Sequence, residues 1–177
     1  MNPNDPEAPT PAPRTTTGSL VLFVGSLAYL GFVPVASGTV AVAVVGVPLH
    51  WVLVGVLGLG WPAYLGLVAV FTFVAVWVAG RADAVLGEKD SSRNVIDEIP
   101  GFLLALVGLP WTWQIVVAAF VIERAIDIAK VWPANWVERR LPGGWGVVFD
   151  DVVAGLYTCA ILHAAAALLP APLGITM

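Results

Sequence analysis

Residues 39–80 read TVAVAVVGVPLHWVLVGVLGLGWPAYLGLVAVFTFVAVWVAG, without one Asp, Glu, Lys or Arg. The hydrocarbon core of a bilayer is about 30 Å thick and takes roughly 20 helical residues to cross. Residues 39–59 and 62–80 each meet that length. Gly60-Trp61-Pro62 between them supplies turn formers and an aromatic suited to the membrane–water interface. Two membrane helices joined by a tight turn are therefore expected.

Outward from this hairpin, residues 151–169 form a third apolar run of spanning length. Residues 18–33 are short for a span. Residues 99–122 are interrupted by Gly108-Leu109-Pro110-Trp111, so each half is too short to cross alone. That segment is either one kinked span or a re-entrant pair of half-helices. With 59% of 177 residues hydrophobic and 11% charged, and a mean hydropathy of +0.89, the composition is that of an integral membrane protein. The expected fold is an all-α membrane helical bundle with about three full spans plus short or re-entrant helices, forming a single domain over residues 18–177. Residues 1–17, Pro-rich and ending in Thr15-Thr16-Thr17, read as a disordered tail without the order of a signal peptide. The single Cys159 excludes a disulfide framework, and a net charge of −4 argues against a nucleic-acid partner.

The basic residues set the orientation. Arg81, Lys89 and Arg93 share one connecting segment, and Arg124, Lys130, Arg139 and Arg140 share another. The positive-inside tendency puts both in the cytoplasm, which favours the re-entrant reading of residues 99–122 between them. Three polar islands, residues 31–39, 81–98 and 123–151, then converge on one cytoplasmic face.

Their chemistry is concentrated in a few residues. Residues 114–131 contain no Gly or Pro and read as helix, so Glu123, Asp127 and Lys130 fall on one face, with Arg124 beside Asp127 at i+3. After the Leu141-Pro142-Gly143-Gly144-Trp145-Gly146 break, Asp150-Asp151 are expected to open the last helix, where the backbone dipole favours negative charge. Asp90 or a following Ser is expected to cap a helix carrying Asp97 and Glu98. A solvated loop or an ordinary helix end explains any one of these acids. Together, Asp97, Glu98, Asp127, Asp150 and Asp151 offer hard oxygen ligands beside Lys130 and Arg124, a set suited to Mg²⁺ holding a phosphate.

These residues carry a resemblance to a known family. The stretch Phe120-Val121-Ile122-Glu123-Arg124-Ala125-Ile126-Asp127-Ile128-Ala129-Lys130-Val131-Trp132-Pro133 resembles a helix of the phosphatidylglycerophosphatase A family, with its Arg, Asp and Lys before Trp-Pro. The Gly143-Gly144-Trp145-Gly146 loop followed by Asp150-Asp151 and Ala154-Gly155 is similar to that family's Gly-rich loop. Asn94-Val95-Ile96-Asp97-Glu98 resembles its Asp-Glu motif, and Gly31-Phe32-Val33-Pro34 through Ser37-Gly38-Thr39 resembles its first motif. The resemblance runs in order from about Gly18 to the C-terminus. It implies Mg²⁺-dependent hydrolysis of the phosphate monoester of phosphatidylglycerophosphate, yielding phosphatidylglycerol and inorganic phosphate, at the cytoplasmic face of the bacterial inner membrane. The chain departs from the family pattern at Ser37, where Pro is usual, at Glu123 for Phe, at Val131 for Pro, and at Glu138 for Asp.

A phosphate monoester requires neutralised oxygens, an attacking water and a stabilised leaving oxygen. Asp97, Asp127, Asp150 and Asp151 are the expected ligands of one or two Mg²⁺, with Glu98 a further ligand or the base that activates water. Lys130 and Arg124 are expected to hold phosphoryl oxygens, Arg124 by a bidentate grip. Backbone amides around Gly38-Thr39 and Gly143-Gly144 complete a candidate anion cradle. A phosphatase for a related lipid phosphate, a membrane scaffold and a transporter are the alternatives. Acids gathered on one face do not line a pathway across a bilayer, which disfavours transport. His50 and His163 stand singly and read as packed or interfacial residues. The Trp residues read as an interfacial belt, with Trp145 in the Gly-rich loop able to cover a headgroup.

Overall fold

A computed structural model of the chain describes residues 16–88 and 91–175. Most of the expected tail, together with Lys89 and Asp90, lies outside the described residues. Thr16 and Thr17 belong to the first helix, where the sequence suggested irregular chain. Besides short 3-10 turns at Leu30–Phe32 and Ala171–Leu173, the described residues form seven helices and no strand: α1 (Thr16–Gly25), α2 (Ser37–Val56), α3 (Trp61–Leu86), α4 (Glu98–Ala105), α5 (Trp113–Ala129), α6 (Ala134–Arg140) and α7 (Gly144–Leu168).

Of these, α2, α3 and α7 are long and apolar enough to cross a membrane. Their outward faces are as apolar as their inward ones. Val70, Phe73 and Trp77 on α3 and Leu156 and Ile161 on α7 are exposed, an arrangement stable only where the surroundings are also apolar. Pro48 inside α2 lacks the N–H for the i−4 bond, and the helix accommodates it with widened π turns at Val42–Gly46 and Trp51–Val56.

The segment containing Gly108 and Pro110 turns back on itself. Glu98 at the start of α4 hydrogen-bonds Arg124 near the end of α5, so the two helices run antiparallel. Their turn shares a cavity with Leu59 and Trp61 of the α2–α3 turn. Thr112 caps α5 by accepting from Ile115 N at 3.2 Å and donates to Leu173 O at 2.7 Å, beyond the end of α7. The hairpin therefore enters and leaves at one end of the bundle and reaches the other. Its core packs Ile99, Phe102 and Leu103 of α4 and Leu106 just after it against Tyr64 and Val68 of α3, Ile115 and Ala119 of α5 and Leu162 of α7.

Three expectations about helix ends are corrected. Asp97 itself stands at the N-cap of α4, so Ser91 and Ser92 do not cap this helix, and Asp90 lies outside the described residues. Because α7 begins at Gly144, Asp150 and Asp151 lie about two turns inside it and not at its N-terminus. Because α5 ends at Ala129, Lys130 leaves the Glu123–Asp127 face. It caps the helix in the left-handed conformation, φ 44° and ψ 55°.

Candidate active site

The start of α4, the last turns of α5 and the second turn of α7 meet at one end of the bundle. Carboxylate oxygens of Glu98, Asp127 and Asp151 lie within 4.8 Å of one another. Two cavities adjoin there, about 240 Å³ and 390 Å³, and share Ser92, Asp97, Glu98 and Asp127 in their walls. Lys130, Asp150 and Asp151 complete the smaller; Ser37, Gly38, Thr39, Asn94 and Arg124 contribute to the larger. All five expected acids and both expected cations are thus brought together.

Small residues make the approach possible. A Cβ on Gly38 would fall 1.7 Å from Glu98 Oε1, so the glycine lets the first turn of α2 cover this carboxylate in its present position. A Cβ on Gly31 would fall 2.0 Å from Arg93 O, and Ser37 Oγ donates to Ser92 O at 2.9 Å. These contacts fix residues 31–39 against residues 91–94. Val95 N and Ile96 N both donate to Gly25 O, at 2.9 and 3.0 Å, which anchors the approach to α4 on the end of α1.

The two cations are held differently. Arg124 is buried, and its Nε and Nη2 donate to Glu123 Oε2 and Oε1, each at 2.7 Å. Its Nη1 donates to Glu98 and lies 3.4 Å from Asp127, and Nη2 lies 3.7 Å from Asp151. Glu123 thus occupies the Nε–Nη2 edge, which removes that edge from the bidentate phosphate grip expected of Arg124, and Nη1 is the nitrogen that meets Glu98 and Asp127 of the cavity walls. Lys130 Nζ donates to Glu138 at 2.7 Å and to Asp150 at 3.3 Å, and its side chain is 35% exposed. Burial pulls this ammonium's pKa down, but Glu138 and Asp150 outweigh it and hold the pKa above the ordinary lysine value. Lys130 therefore stays charged.

Gly143 and Gly144 lie outside both cavities. A Cβ on Gly144 would fall 2.0 Å from Val76 O, so this glycine serves the close approach of α7 to α3. Both border a separate groove with Phe73, Val76, Trp77 and Trp145. Trp145 packs against Phe73 and Phe149 there.

The profile of the phosphatidylglycerophosphatase A family matches residues 23–166, which contain every residue of this site. The chain belongs to this family. Phosphatidylglycerophosphatase A of Escherichia coli K12 is 34% identical over 134 residues, 75% of this chain and 76% of its own. Its Haemophilus influenzae counterpart is 30% identical over 60% of this chain and 66% of its own. A Bacteroides thetaiotaomicron protein provisionally named a phosphatidylinositol-3-phosphatase is 34% identical over 82% of this chain and 93% of its own. No solved structure matches the chain. As a member of the phosphatidylglycerophosphatase A family the protein is a phosphatase.

Within this family framework, several residues of the site were not among those expected. Glu138 was visible only as a replacement for Asp, yet it accepts the shorter of the two Lys130 bonds. Glu123 shares its helix with Asp127, but its fork with Arg124 joins neighbouring residues, a pairing that helical periodicity does not suggest. Asn135 Nδ2 donates to Lys130 O at 3.1 Å and supports the left-handed cap.

Proposed function

We propose that the protein hydrolyses the phosphate monoester of phosphatidylglycerophosphate, using Mg²⁺, at the cytoplasmic face of a bacterial inner membrane. The convergence of Glu98, Asp127 and Asp151 beside Lys130 and Arg124, in a chain of this family, is the observation that carries the reading. The donor set fits a hard divalent cation. Its atoms are carboxylate oxygens, close enough for one ion to touch all three, and their mutual repulsion calls for a countercharge. Asp97 and Asp150 border the same space and can supply further oxygens. A cation bound there contributes positive charge to the phosphoryl oxygens and to the attacking water.

The chain's own residues do the rest. Lys130, charged throughout the working pH range, pairs with a phosphoryl oxygen, and Arg124 Nη1 pairs with another. Gly38 and Thr39 border the larger cavity and offer backbone amides to the same group. Glu98 reaches both cavities, and the oxygen it does not give to a cation takes a proton from the attacking water; solvent relays that proton to the leaving oxygen, which lies on the opposite side of phosphorus. Water oxygen bonds to phosphorus, the P–O bond to the lipid breaks, and the proton ends on the lipid hydroxyl. The larger cavity, walled by Ser37, Thr39, Ser92 and Asn94 with Val33, Pro34 and Ile128, has room for the headgroup next to the bilayer.

A related lipid phosphate is the second reading, favoured by the relative named for phosphatidylinositol 3-phosphate. Phosphate release by the detergent-solubilised protein from phosphatidylglycerophosphate, phosphatidylinositol 3-phosphate and phosphatidic acid decides between them. The expected kcat/KM is highest for phosphatidylglycerophosphate. Equal or higher kcat/KM for another lipid transfers the assignment to it, and release from none of the three removes it.

A further inference from the structure

Glu123 is an acid beside the site that the proposed chemistry leaves without a task. Its side chain is fully buried, at 0% exposure, and borders neither cavity of the site. Both of its oxygens bond one partner, Arg124, at 2.7 Å. Isolating a carboxylate in the protein interior is expensive, and removing one member of such a buried pair is worse, so the fork constrains Arg124 strongly. Arg124 in turn leans on Glu98, Asp127 and Asp151, the same carboxylates that converge in the site. Each of those three acids is met by a single nitrogen; a guanidinium released from Glu123 could turn its two-nitrogen edge onto them and compete with a divalent cation for their oxygens.

We propose that Glu123 is a positioning residue: by holding Arg124 along its Nε–Nη2 edge and sharing its charge, it limits Arg124 to single-nitrogen contacts with Glu98, Asp127 and Asp151, which leaves the remaining oxygens of these acids to a divalent cation and Nη1 within reach of the substrate phosphate. The inference rests on the metal-dependent reading of the site. Without Glu123, the charge of Arg124 is balanced by the triad alone, which weakens the pull of these acids on a cation and lets the guanidinium turn its two-nitrogen edge onto them. Occupation of the site by cation is then weaker, and the phosphate meets a less ordered Arg124.

The test uses Glu123→Gln, nearly isosteric, and Glu123→Leu, which fills the volume without polarity. Mn²⁺ binding to the purified protein is followed by electron paramagnetic resonance, and phosphate release is titrated with Mg²⁺ in parallel. Both variants are expected to weaken Mn²⁺ binding about tenfold, to raise the Mg²⁺ concentration for half-maximal rate to a similar degree, and to lower kcat. In an Arg124→Ala background, Glu123→Gln is expected to change Mn²⁺ affinity less than twofold, because its effect passes through Arg124. Wild-type Mn²⁺ affinity in a folded Glu123→Gln sample overturns the proposal, as does a full tenfold loss persisting without Arg124. Wild-type protein that binds no Mn²⁺ would instead remove the metal-site reading on which the proposal rests.

Discussion

Gly101 on α4 and Gly155 on α7 touch backbone to backbone. A Cβ on Gly155 would fall 2.2 Å from Gly101 O, and one on Gly101 would fall 2.5 Å from Asp151 O. This crossing sets the separation of Glu98, one turn before Gly101, from Asp151, one turn before Gly155. The same glycines that let two helices approach therefore determine whether their carboxylates can share an ion.

Gly155→Ala should consequently damage the site from outside it. The added methyl meets a carbonyl oxygen and not the yielding end of a side chain, so α4 and α7 must separate. Overpacking of this kind costs about 1–3 kcal/mol. A lower unfolding midpoint in detergent is expected together with loss of most phosphate release at fixed Mg²⁺. Wild-type activity in this variant would show that the crossing does not govern the site.

Asp127→Asn and Asp151→Asn each remove one charge from the oxygen triad and keep its shape. Phosphate release should fall at least about 100-fold for each, while the protein stays membrane-inserted and elutes from a sizing column like wild type. Retention of more than a tenth of the activity by either variant would exclude that acid from the ligand set.

Lys130→Ala separates phosphate binding from cation binding. Loss of a charge-assisted bond to a partly desolvated phosphate is worth about 1.5–3 kcal/mol, or roughly a 10- to 150-fold drop in kcat/KM. The Mg²⁺ concentration for half-maximal rate should be unchanged. A large shift in that concentration would mean that Lys130 serves the acids and not the substrate.

Orientation is testable by labelling single cysteines in a Cys159→Ala background. Val35 and Arg139 are exposed at the site end of the bundle, and Leu169 is exposed past the end of α7. Val35→Cys and Arg139→Cys should react with an impermeant reagent only from the cytoplasmic side, and Leu169→Cys only from the opposite side. Labelling of Val35→Cys and Arg139→Cys from opposite faces would break the shared-face arrangement.

Much of this architecture was legible in the chain because a bilayer leaves few options. Apolar length alone identified α2, α3 and α7, while their ends run on past the apolar stretch where charged residues such as Arg81 and Asp83 are still helical. The turn around Gly108 and Pro110 announced the break between α4 and α5. What periodicity could not supply were departures from regular helix. Lys130 adopts a positive φ that is unfavourable for a residue with a Cβ, and this turns its side chain to Glu138 and Asp150. The start of α7 at Gly144 was hidden because a Gly-rich run normally marks a loop, whereas here the missing side chains admit Val76 O of α3. The acids were identifiable by scarcity; their grouping into Glu98, Asp127 and Asp151 depends on the Gly101–Gly155 crossing, which is tertiary.

The central claim is that these carboxylates work through a divalent cation. Phosphate release from phosphatidylglycerophosphate by the detergent-solubilised protein, first in excess EDTA and then with Mg²⁺ restored, tests it most directly. The account predicts that release falls to the background of the Asp151→Asn variant in EDTA and returns on addition of Mg²⁺. Undiminished turnover in excess EDTA would contradict it.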